Sequence, residues 1–159
     1  MEKKRDKTME KKDLLRIASM LVMILLLPLF IALMFTVEKI ITPSLKPSIQ
    51  MQQAFRVITF GIPILIITVY GYITKNKLTS TLSGVFLMPL SFFYIDIIFD
   101  LFNYHFIRNW LSWKVILDLI PFMLIYGLVG HFASRGTKIS LLIAIFIGIL
   151  FIFFILGID

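Results

Sequence analysis

The chain has 159 residues, 59% of them hydrophobic and 16% charged, with a mean hydropathy of +0.96 and a formal net charge of +7. A domain of this size has too little interior to enclose so much apolar side chain, and the apolar residues come in runs long enough to cross hydrocarbon. A soluble enzyme, a disulfide-stapled secreted domain and a disordered tail are excluded, and the lack of cysteine removes thiolate catalysis and cysteine-ligated metals.

Residues 1–13 form a basic tail. Seven of the 16 basic residues, Lys3, Lys4, Arg5, Lys7, Lys11, Lys12 and Arg16, fall within the first sixteen positions. The tail reads as a cytoplasmic segment drawn to anionic lipid headgroups, each cation contributing about 1 kcal/mol near such a surface. Glu2, Asp6, Glu10 and Asp13 are interleaved with the cations and dilute the field, and a short amphipathic helix fits there. No groove-reading motif accompanies the charge, so nucleic acid is not an expected partner. The apolar run that follows is longer than the roughly 7 to 15 residues of a cleavable signal and has no small-residue cleavage pattern after it. It is expected to stay as the first membrane helix.

Residues 14–159 read as one all-α domain, a polytopic integral membrane bundle of about five transmembrane helices over 14–37, 54–73, 82–103, 114–133 and 139–158. The link 38–53 contains Pro43, Pro47, Ser44 and Ser48 and is expected to turn rather than continue a helix. The links 75–81 and 134–138 are short, which predicts that spans two and three, and spans four and five, are antiparallel neighbours. Eleven Lys and Arg residues fall on the side of the N-terminal tail and five on the other. That asymmetry predicts a cytoplasmic N-terminus and an extracytoplasmic C-terminus in a plasma membrane, and it rests almost wholly on the tail. A re-entrant third or fourth segment would return the C-terminus to the inside. Tyr104, Phe106, Trp110 and Trp113 cluster between spans three and four as an interfacial belt.

Three carboxylates fall inside predicted spans: Asp96 and Asp100 in the third and Asp118 in the fourth. An aspartate at a helix centre costs roughly 2.5 to 3.5 kcal/mol on insertion scales, so all three are expected to face protein or water. Asp96 and Asp100 are four residues apart and share a helical face. With spans three and four antiparallel, all three acids belong to the outer half of the membrane. Arg56, Arg108, Lys114 and His105 are the cations within reach of that depth.

Two uses of this cluster follow from its chemistry. As a ligand- or cation-binding site, Asp96, Asp100, Asp118, Arg56 and His105 would hold a proton, a cation or a cationic ligand. As structural glue, the same acids would pair with the cations and join helices two, three and four. Oxygen ligands from the aspartates with His105 would suit a hard divalent cation better than zinc, although the D-x-x-x-D spacing followed by histidine matches no ligand signature. An intramembrane aspartyl hydrolase would need two carboxylates sharing a proton, with Asp100 and Asp118 as the pair. Lipoprotein signal peptidases share this length and depth of an aspartate pair, but their G-N-x-x-D-R and F-N-x-A-D motifs are missing.

The reading is therefore a small, non-enzymatic, transport-related or ligand-binding membrane protein without a cofactor, acting as a homo-oligomer or with a partner membrane subunit. A hydrolase and an immunity-like accessory subunit are the alternatives. His131, one turn before Arg135, reads as an interfacial residue that bonds a carbonyl or a headgroup. Pro28, Pro63, Pro89 and Pro121 mark possible kinks in the first four spans. The fifth span has no ionisable group, and its Ala144 and Gly148 form a small-residue pair suited to close helix contact.

Overall fold

The computed structural model describes residue 14 and residues 17–40, 48–101 and 113–157. They form five helices, each long and apolar enough to cross a membrane: α1 (Ile17–Lys39), α2 (Ile49–Thr74), α3 (Lys77–Leu101), α4 (Trp113–Ala133) and α5 (Lys138–Leu156). The expected all-helical bundle is what the chain forms, with no strand among the described residues. The basic tail, Pro43, Pro47, His105, Arg108 and most of the aromatic belt lie outside the described residues.

Helix ends follow local chemistry. α1 contains a π turn at Val22–Leu26, immediately before the buried Pro28. A proline nitrogen has no proton to return to the carbonyl four residues back, and the wider turn accommodates its ring. α2 starts five residues earlier than the apolar pattern implies, because Ser48 in an extended conformation accepts a bond from the Met51 amide at 3.3 Å. It stops at Lys75, which adopts a left-handed conformation (φ 52°) and donates its N–H to the Gly71 carbonyl.

α3 begins at Lys77, where a link to residue 81 was expected. The Asn76 side chain accepts from the Thr79 amide at 3.2 Å and starts the helix, and Thr79, Ser80 and Ser83 are then buried within the bundle. The turn between α4 and α5 occupies residues 134–137, one residue shorter than the expected 134–138, with Gly136 at φ 68° and Thr137 accepting from the Ser140 amide at 3.2 Å.

Neighbour relations only partly follow link length. α4 and α5 pack together as expected, but α2 and α3 touch lightly despite the two-residue turn between them. The most extensive contact is α3 against α4, the pair with the long connection. Glycine explains the preference. A Cβ on Gly84 would lie 2.2 Å from the Tyr126 carbonyl oxygen, and one on Gly130 would lie 2.2 Å from the Ser80 carbonyl oxygen. Small residues at these points let the two backbones meet, the usual basis of helix association in lipid.

α1 lies on α3, and α2 lies on α4 and α5. Tyr126 is fully buried at the centre, its hydroxyl donating to the Phe60 carbonyl at 3.1 Å and its ring meeting Phe151 edge-on at 5.5 Å. Ala144 and Gly148 are both buried, and Gly148 faces Ile64 of α2, so the small-residue pair serves contact within the chain. Large exposed side chains such as Leu65, Leu117, Phe146 and Phe153 give the bundle the apolar exterior of a lipid-solvated protein.

Candidate functional site

The two ends of the bundle differ in packing and in charge. At the turn end, where α2 joins α3 and α4 joins α5, Gly71, Gly84 and Gly130 close the helices tightly together. At the opposite end, where the longer links depart, α1, α2, α3 and α4 enclose a cavity of about 290 Å³. Its wall is formed by Ile31 and Phe35 of α1, Phe60 of α2, Met88, Ser91, Phe92 and Ile95 of α3, and Val115, Asp118, Leu119 and Phe122 of α4. Ser91 gives its hydroxyl to the Leu87 carbonyl at 2.6 Å, so it offers the cavity no free proton. Among the described residues Asp118 is the one ionisable group in the wall.

The antiparallel register sets the depth of the acids. Gly84 meets Tyr126, and Ser80 meets Gly130. Carried outward along both helices, this register levels Asp118 with Phe92 and, one turn further out, levels Asp96 with Lys114. Asp100 lies a further turn out. The three acids therefore occupy successive levels of the half of the α3–α4 pair away from the short turns rather than one plane.

Asp96 is half-buried, and Asp100 and Asp118 are exposed. Asp96 and Asp100 share a face as expected, but it lies beside the cavity rather than on its wall. Among the described residues none of the three carboxylates makes a hydrogen bond or an ion pair. Arg56 is half-buried on α2, outside the cavity wall. His105 lies outside the described residues, so its part in the cluster has no structural counterpart. No group of three metal-ligating side chains occurs among the described residues.

His131 lies at the turn end, its Nε2 3.4 Å from an Arg135 guanidinium nitrogen and its carbonyl accepting from the Ser134 hydroxyl at 2.8 Å. Arg135 in turn lies over the Phe132 ring at 5.2 Å. His131 is separated from the acids by most of the length of α4 and belongs to a different surface.

Sequence reasoning does not anticipate the cavity. Its apolar wall is drawn from four helices in residues that look like ordinary membrane-facing side chains, and only Asp118 carries a signal. No family model matches the sequence, and neither a curated protein nor a solved structure matches it.

Proposed function

We propose that the protein is a non-enzymatic membrane protein whose outer-half cavity binds a small apolar molecule carrying one positive charge. The observation that supports this reading is the pairing of about 290 Å³ of apolar space with a single carboxylate, Asp118, in its wall. Apolar walls supply most of the binding free energy of such a site, and one well-placed polar group fixes orientation and selects charge. In surroundings of low dielectric an ammonium group a few ångströms from the carboxylate gains more than it would in water. A hydrolase is less well supported, because two acids sharing a proton must meet across one water and Asp118 is the one acid among the described residues of the wall. The asymmetry of lysine and arginine supports a plasma-membrane orientation with the N-terminus cytoplasmic and the cavity on the outer side.

The test is equilibrium binding of hexyltrimethylammonium to the purified chain in nanodiscs, with empty nanodiscs as reference and hexanol as the uncharged comparison. Saturable binding of the cation, weakened about tenfold by Asp118→Asn with hexanol unaffected, is the expected outcome. Equal binding by wild type and Asp118→Asn would overturn the role of the carboxylate. Binding that does not saturate would overturn the site.

A further inference from the structure

A second feature lies on the lipid-facing side of the molecule, away from the carboxylates. α2 and α5 enclose an open groove of about 370 Å³ whose floor includes Gly61 and Gly148 and whose sides include Leu65, Thr68, Ile145 and Ile149. Thr68 spends its hydroxyl on the Ile64 carbonyl at 2.7 Å, so the groove presents no available donor. Followed toward the turn end, the α5 side of the groove continues through Leu141 to Lys138, which shares one helical stripe with Ile145 and Ile149. Lys138 to Gly148 is ten residues, roughly 15 Å of helical rise, which is about the hydrocarbon depth of one leaflet.

Cations stand at the turn end, beyond Thr68 and Ile145, where the lining of the groove stops. The Lys75 side chain runs against the turn between α4 and α5, where a Cβ on Gly136 would lie 2.9 Å from Lys75 Cε. Gly136 is two residues from Lys138, so that contact ties the two turns together. Lys75, Lys77, Arg135 and Lys138 are all exposed at this end. The described carboxylates, Glu38, Asp96, Asp100 and Asp118, all lie toward the opposite end of the bundle. The groove thus lies midway along α2 and α5, and the stripe through Leu141 leads from it to a field of positive charge that no described acid at that end neutralises.

We propose that this groove binds one anionic phospholipid, with its phosphate held by Lys75 and Lys138 and one acyl chain laid between α2 and α5. Charge complementarity selects this occupant. A second copy of the chain would bring a further four cations against these four, and a zwitterionic lipid has no net charge to answer them. The site is independent of the cavity at the other end and is not the attraction of the N-terminal tail to the membrane surface.

Native mass spectrometry of the full chain released from dodecylmaltoside micelles tests the assignment, with phosphatidylglycerol and phosphatidylcholine added in parallel. One phosphatidylglycerol is expected to be retained per chain, in clear preference to phosphatidylcholine. The double change Lys75→Gln and Lys138→Gln should weaken that retention about tenfold and erase the preference. Ile149→Trp, at a residue 47% exposed, should fill the groove and reduce retention of both lipids while the lipid-free melting temperature stays unchanged. Equal retention of the two lipids, or a preference that survives the double glutamine variant, would overturn the proposal. A dimer lost on Ile149→Trp would overturn it as well, by placing a second chain in the groove.

Discussion

Glycine positions in this bundle separate into two kinds, and the distinction predicts opposite mutational outcomes. A methyl group on Gly84 or Gly130 would meet a carbonyl oxygen of the neighbouring helix at 2.2 Å, and backbone does not yield as a side chain does. Gly84→Ala should therefore lower stability by about 1 to 3 kcal/mol, the range for overpacking a closed interior. Gly61 has its nearest neighbour, the Ile152 side chain, at 3.4 Å, so Gly61→Ala should change the melting temperature in detergent little. Similar losses from both substitutions would overturn the close contact as the cause, because helix propensity alone favours alanine over glycine at either site.

Hydroxyl groups make a parallel comparison. Ser83 is buried and its oxygen has no partner among the described residues, whereas the Ser91 hydroxyl bonds the Leu87 carbonyl. An unpaired buried polar group costs about 1 to 3 kcal/mol, so Ser83→Ala should raise the melting temperature and Ser91→Ala should not.

At the scale of the helix, conformation at the ends carries the cost. Lys75 terminates α2 at φ 52°, a region in which a residue with a Cβ is less stable than glycine by roughly 1 kcal/mol. Lys75→Gly should raise the thermal midpoint of the lipid-free protein while removing one of the cations assigned to the phosphate. Thermal melting and lipid retention would then move in opposite directions, which a purely structural role for Lys75 does not produce.

The elements themselves were legible to different degrees. Five spans can be read directly because runs of about twenty apolar residues have few alternatives to a membrane helix. The starts of α2 and α3 are harder to read. Ile49 and Lys77 begin helices through caps supplied by Ser48 and Asn76, and the polar residues that follow look like link rather than helix. Neighbour order is harder still. Link length favours α2 beside α3, but Gly84 and Gly130 bring α4 closer to α3, and no periodicity marks those glycines as a matched pair. Among the candidate site residues, Asp118 announces itself as a charge in an apolar run, while its nine apolar partners in the cavity wall are chemically indistinguishable from residues that face lipid.

Acidic residues are sorted toward one end of the described bundle. The described acids lie toward one end, and the cations at the other end have no described acid beside them. Because the chain contains no cysteine, its orientation can be read with single cysteines and a membrane-impermeant thiol reagent on intact cells. With the N-terminus cytoplasmic, a cysteine at Lys114 should react and one at Lys75 should not. The reverse pattern would invert the orientation and turn the cavity toward the cytoplasm. A cysteine at Asp118 that reacts together with one at Lys114 would establish a water-accessible path into the cavity.

The uneven packing of α3 and α4 gives the pair the mechanics of tongs. Their backbones are pinned where Gly84 meets Tyr126 and Ser80 meets Gly130, while the cavity lies further along the same two helices. Two rods fixed near one end separate most at the other, so a small change of angle at the pin becomes a larger change in the gap beside Asp118. The width of the cavity is thus governed by residues that lie outside its wall. Adding bulk at the pin should alter that width, even with every side chain of the cavity wall left as it is.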